Sequence, residues 1–191
     1  MRRALCWVAA AALLSACHVA PPKPAVLSAW SERLPQLQAA GHWDLQGRAA
    51  GAVGTQGWQA SLEWRQAGDR ADVRLAGPLG AGAVALKLSP QGIELDPPAD
   101  TDPQRFLEER LGFAPPFDRL RYWLLGVPSP AQTFELTANA EGRAAQIQQD
   151  GWSIEYGEYM RAGTDVLPKR LVLRRDQVRV RVAVDRWALS P

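Results

Sequence analysis

Side chains able to make or break bonds are scarce in this 191-residue chain. His18 and His42 are its two histidines, too few for a zinc site built on several of them, and no H-E-x-x-H motif occurs. Neither a G-x-S-x-G elbow nor a phosphate-binding G-x-x-x-x-G-K-[ST] loop is present. A serine–histidine–carboxylate site could use His42, but no surrounding residue signals one. Gly80-Ala81-Gly82-Ala83-Val84-Ala85 matches the G-x-G-x-x-A form of a dinucleotide turn, which needs a helix starting at its last glycine. Here strand-like alternation runs on to the turn Ser89-Pro90-Gln91-Gly92, so the match carries no nucleotide site. A protein that is not an enzyme and holds no metal or cofactor is expected.

The remaining chemistry belongs to a thiol. Met1-Arg2-Arg3 followed by apolar Ala4 to Leu14 is a secretory leader, too short to stay as a membrane-spanning helix. It closes on Leu14-Ser15-Ala16-Cys17, which resembles the bacterial lipobox, where cleavage precedes a cysteine already carrying diacylglycerol. Cys6, the other cysteine, lies inside the leader, so Cys17 has no disulfide partner. Two or three acyl chains hold a protein firmly to a membrane, at about 0.8 kcal/mol per buried CH₂. In lipoproteins an aspartate after the cysteine tends to retain the protein in the inner membrane; His18 stands there instead, which implies the outer membrane. The chain divides into a signal (1–16), a lipidated Cys17 with a tether containing Pro21, Pro22 and Pro24 (17–26), and one domain (27–191). The formal charge is +2, and Arg2 and Arg3 belong to the leader. The mature chain is therefore near neutral, and nucleic acid is not an expected partner.

What must position any site is mostly strand. Leu27, Trp30, Leu34 and Leu37 repeat at helical spacing and predict an amphipathic helix, broken or kinked at Pro35. From His42 the period becomes two, with Trp43 and Leu45, then Trp58, Leu62 and Trp64, then Val73 and Leu75, then Leu86 on one face. Asp102, Pro103 and Gly112 bracket a short helix, and Leu120, Trp123 and Leu124 form a stripe on a second one ended by Gly126. Alternation then returns through Trp152 to Val180 and Val182. The count of roughly ten strands is one at which a twisted antiparallel sheet curls. The expected fold is mainly β with α, an incomplete barrel under a helical lid. Its apolar face either packs solid or encloses a ligand cavity, and the residues alone do not separate these. Arg174, Arg175, Arg179, Arg181 and Arg186 either meet anionic lipid headgroups, at about 1 kcal/mol for each basic residue near such a surface, or form a solvated outer face, and the second is the expected reading.

One turn breaks the usual chemistry. Gly77-Pro78-Leu79-Gly80-Ala81-Gly82 joins two strands, yet its tip carries a leucine where polar residues are usual. The leucine either folds back onto the sheet edge or points outward to something apolar, and a membrane tether favours the second.

Several phrases together resemble the LolB family: Gly57-Trp58 and Trp64, Gly77-Pro78-Leu79-Gly80, Leu120 with Tyr122-Trp123-Leu124-Leu125-Gly126 and Pro128, Gln149-Asp150-Gly151-Trp152 with Tyr156, Leu167-Pro168, and Asp185-Arg186-Trp187. The likeness runs from about Trp30 to Leu189. It implies an outer-membrane receptor, lipid-anchored and facing the periplasm, that takes lipoproteins from a LolA-like periplasmic carrier and inserts them into the outer membrane. It also implies that Leu79 serves that insertion, and that an apolar interior accepts the cargo's acyl chains. Candidates for that interior are Trp43, Leu45, Trp58, Leu62, Trp64, Val73, Leu75, Leu86, Leu120, Trp123, Leu124, Trp152, Val180 and Val182. Expected partners are the carrier, the cargo and outer-membrane lipids, with the chain itself a monomer. A lipid or glycolipid carrier and a structural outer-membrane lipoprotein are the alternatives.

Overall fold

The computed structural model describes residues 24–98, 100–130 and 132–189. The leader, Cys17 and most of the tether therefore lie outside the described residues. Helix α1 (Pro24–Ala39) precedes β1 (His42–Val53), β2 (Gln56–Ala67), β3 (Arg70–Ala76), β4 (Val84–Ser89) and β5 (Gly92–Asp96). Helices α2 (Pro103–Leu111) and α3 (Phe117–Leu124) follow, then β6 (Phe134–Ala138), β7 (Ala144–Gln149), β8 (Trp152–Ala162), β9 (Asp165–Arg175) and β10 (Val178–Leu189).

All ten strands form one antiparallel sheet in the order β5-β4-β3-β2-β1-β10-β9-β8-β7-β6. Chain neighbours pair wherever a short turn joins them, and β1 closes onto β10. The α2–α3 insertion separates β5 from β6, so these become two unpaired edges and the barrel stays open. Because side chains alternate across a strand, one face collects the large apolar residues. Leu45 stands opposite both Trp64 and Trp187, and Trp43 stacks on Trp64 with ring centres 5.8 Å apart.

Both inserted helices follow their local signals. The Asp102 carboxylate accepts from the Arg105 N–H at 2.8 Å, Pro103 opens α2, and Gly112 ends it at φ 81°. Leu107 and Leu111 of α2 and Phe117, Trp123 and Leu124 of α3 are buried against the sheet.

The first helix departs from expectation in two ways. It starts at Pro24, three residues before the first apolar position of the repeat, because proline is tolerated in a first helical turn. It also continues through Pro35 instead of breaking there. The missing donor and ring clash are offset by tertiary anchors on either side of that proline. Arg33 donates to the Val166 carbonyl at 3.2 Å, Gln38 donates to the Pro128 carbonyl at 2.9 Å, and Leu34 and Leu37 pack on the core.

Candidate functional site

The β3–β4 connection places its leucine at the outermost point. Ala76 ends β3, and Leu75 pairs with Val84, so residues 77–83 extend past the sheet. The Gly77 N–H donates to the Ala81 carbonyl at 2.9 Å and the Gly80 N–H to the Gly77 carbonyl at 3.0 Å, which closes a tight turn. Leu79 itself lies in the left-handed region at φ 56°, ψ 24°, and its side chain is fully exposed. That backbone costs a residue with a Cβ about 1–2 kcal/mol. No contact within the fold offsets the strain, since an exposed leucine buries nothing.

The loop is tied to the lid. Arg110, in the last turn of α2, donates to the Gly82 carbonyl at 2.8 Å. Gly82 has φ 57°, which glycine adopts freely, and a Cβ there would lie 2.0 Å from the guanidinium, so a larger residue would displace the Arg110 side chain.

Beneath the lid, α2, α3 and their connection meet the inner face of the sheet at a pocket of about 60 Å³, lined by apolar residues. Ten of the residues expected to line an interior do so: Trp58, Leu62, Trp64, Val73, Leu75, Leu120, Leu124, Trp152, Val180 and Val182. Trp43, Leu45, Leu86 and Trp123 do not, although all four are buried. Trp43 is packed between Trp64 and Trp187, and Trp123 turns its indole N–H to the Gln149 side-chain oxygen at 2.8 Å. Leu111, Phe113, Pro115, Pro116 and Phe117 also line the pocket without belonging to the sequence-based set. The run Phe113-Ala114-Pro115-Pro116-Phe117, apolar where a linker is usually polar, is the signal that could have found them.

The pocket's volume is well below the roughly 300–1,000 Å³ of a typical ligand pocket. The space between the lid and this part of the sheet is thus small. Its rim is made by Trp58, whose indole N–H donates to the Leu111 carbonyl at 3.1 Å and whose ring lies against Gly51. A Cβ on Gly51 would sit 2.3 Å from that ring.

Among the described residues one buried side-chain polar atom lacks a hydrogen-bond partner. The Gln149 side-chain oxygen accepts from Trp123 and from the Ser129 N–H at 2.9 Å, while its NH₂ donates to the Ser129 carbonyl at 2.8 Å and the Gln132 carbonyl at 3.1 Å. Tyr156 donates to the Trp123 carbonyl at 2.9 Å, and burial, reinforced by Tyr159, holds its hydroxyl well above the usual phenol range. Trp152 is the exception: its indole N–H is buried without a partner among the described residues, and its ring lines the pocket beside Phe113 and Trp123. An unsatisfied buried donor costs about 1–3 kcal/mol. Among the described residues no cluster of histidine, cysteine and carboxylates could hold a metal, and no helix is long and apolar enough to cross a membrane.

Comparison with known proteins gives a consistent picture. Residues 41–187 match the family model described as outer membrane lipoprotein LolB. The chain is 35% identical over 200 aligned positions to the outer-membrane lipoprotein LolB of Alkalilimnicola ehrlichii, with all of both chains covered. It is 34% identical to the protein of the same name from Nitrosococcus oceani, covering 84% of this chain and 83% of that one. Among solved structures, a LolA superfamily protein from Nitrosomonas europaea superposes with a TM-score of 0.55 at 8% identity, over 86% of this chain and 94% of that one. At that identity the likeness concerns the fold alone.

Proposed function

The chain belongs to the LolB family of outer-membrane lipoproteins, and from that premise we propose that it receives lipoproteins from a LolA-like carrier and inserts them into the outer membrane. Cys17 carries its own lipid anchor, the 17–26 segment is the tether, and the domain beyond works as a monomer facing the periplasm.

The observation that carries this reading is Leu79. A leucine that is fully exposed and held in a strained conformation has no role inside the fold, and backbone strain of this kind persists where function requires it. Next to a membrane tether, an apolar tip held clear of the sheet enters the bilayer surface and marks where cargo is released.

The energetics require a sheltered route. Each acyl chain of a cargo lipoprotein contributes about 0.8 kcal/mol per CH₂ on leaving water, which amounts to roughly tens of kcal/mol for several chains. Transfer from one apolar interior to another avoids that exposure and needs no nucleotide if the receiver binds more tightly. The described pocket is the closed form of the receiving interior. To admit a chain, α2, α3 and the Phe113 to Phe117 connection move off the sheet, and the Trp58–Leu111 hydrogen bond opens. The Trp152 indole N–H, without a partner in the closed form, then donates to an ester or amide carbonyl of the cargo.

Depletion of the protein from cells tests the pathway: lipoproteins should accumulate in the periplasm or inner membrane, and normal sorting would contradict it. The small pocket also suits a purely structural lipoprotein. A fluorescent fatty acid separates the two, since the receptor should bind it with quenching of Trp58 and Trp152, whereas a solid core should bind none.

A further inference from the structure

Beside the loop, the outer face of the sheet carries a depression of about 690 Å³. The strand register builds it. One row across β2, β1, β10 and β9 reads Ser61, Arg48, Ala183 and Arg170, and the next reads Gln59, Ala50, Arg181 and Val172. The first row continues to Ala76, paired with Ser61, and the chain then rises into the loop. Small side chains form the floor, and Gly77, Pro78, Leu79 and Gly80 make one wall. Three arginines line the depression and no carboxylate does. Arg48 pairs with Asp185 at 2.9 Å and Arg170 with Glu158 at 3.2 Å, both outside the lining. Arg181 is exposed and has no ion pair among the described residues.

A surface with cations on one side and proline and leucine on the other matches an amphipathic anion. The guanidinium fork fits a phosphodiester in a way that a point charge does not. If Leu79 enters the hydrocarbon, which rests on the reading above, the depression directly behind it lies at the depth of the lipid phosphates. We propose that it seats the headgroup of an anionic glycerophospholipid from the same leaflet. The phosphate sits on Arg181 with Arg48 and Arg170 beside it, and the first methylenes lie along Pro78 and Leu79. The seat orients the domain on the membrane and is separate from the interior that takes cargo.

The test uses the full lipidated chain, reconstituted in vesicles of phosphatidylethanolamine with a minority of phosphatidylglycerol, then extracted in mild detergent for native mass spectrometry. One phosphatidylglycerol should remain per chain, and raising the salt before extraction should lower its occupancy. Arg181→Glu should cut occupancy by about fivefold or more, the worth of one basic residue at an anionic surface, with Arg181→Gln as the milder second variant. Both variants should accept cargo from the carrier as the unmodified chain does. Equal retention by Arg181→Glu and Arg181→Gln, no retention by the unmodified chain, or loss confined to an interior variant such as Leu62→Ala would each overturn the seat. Should the unmodified chain hold the lipid in an Arg181-dependent way yet fail to accept cargo, the seat stands and the receptor reading falls.

Discussion

Gln149 is polar and 3% exposed, whereas Leu79 is large, apolar and fully exposed. Each inverts the usual placement of its residue type, but for different reasons. Gln149 is buried because all of its hydrogen-bonding capacity is used, and it joins α3, β7 and the segment after α3 into one unit. Around Leu79 nothing is compensated: the backbone is strained and no apolar surface is covered. Burial without cost is an arrangement the fold explains by itself. Exposure with strain is one it does not, and the membrane proposed as its partner lies outside the fold.

Variants can break this contrast, beginning where the effect is largest. Gln149→Leu strands the Trp123 indole N–H and both backbone groups of Ser129 in the core. At about 1–3 kcal/mol for each unsatisfied group, it should lower stability by roughly 3 kcal/mol or more in denaturant unfolding. A loss below about 1 kcal/mol would show that the hub is not what holds the lid's second helix.

Arg110→Ala lies between the extremes, because it removes one largely exposed hydrogen bond from lid to loop. Its stability cost should be near 1 kcal/mol. Hydrogen exchange at residues 77–83 should rise several-fold while β8 and β9 stay protected. Unchanged exchange in the loop would mean that the clasp does not couple the two.

Leu79→Gly should act in the opposite direction. Glycine adopts φ 56° freely, so relief of strain outweighs the added entropy of the unfolded chain, and stability should hold or rise by up to about 1 kcal/mol. A clear loss would mean that Leu79 makes contacts that its exposure conceals.

Much of this contrast is legible in the sequence where its causes are local. Alternation placed the inner faces of β1 to β4 and of β10, because one side of a curled sheet has no water. Asp102, Pro103 and Gly112 bracketed α2 through interactions within a few residues. The leucine at a turn tip was visible as an anomaly of turn chemistry. That Leu79 itself, and not only Gly80 and Gly82, takes the left-handed conformation was not visible, because neighbouring glycines offered cheaper places for it.

What remained hidden is nonlocal. Gln149 bonds Trp123 across 26 positions, and Arg110 reaches Gly82 across 28; no spacing rule connects them. Trp43, Leu45 and Leu86 carry the same pattern as the residues that line the pocket, yet pack beyond it. The side of a strand is set by its period, but how far the opposing helices fill the space is set by volumes contributed from the whole chain. Pro35 failed as a helix breaker for a similar reason, since distant acceptors at Val166 and Pro128 hold the helix together.

The central claim is that Leu79 serves release into the membrane and not receipt or folding. Leu79→Glu tests it most directly, in a reconstituted transfer from carrier-bound lipoprotein through this protein to liposomes. The variant should fold within about 0.5 kcal/mol of the unmodified chain, as exposed substitutions do, and accept cargo from the carrier at the normal level. It should nevertheless deliver cargo to the liposomes at least about tenfold more slowly, since a charge placed in hydrocarbon costs about 2.5 kcal/mol or more. Delivery at the normal rate would contradict the account.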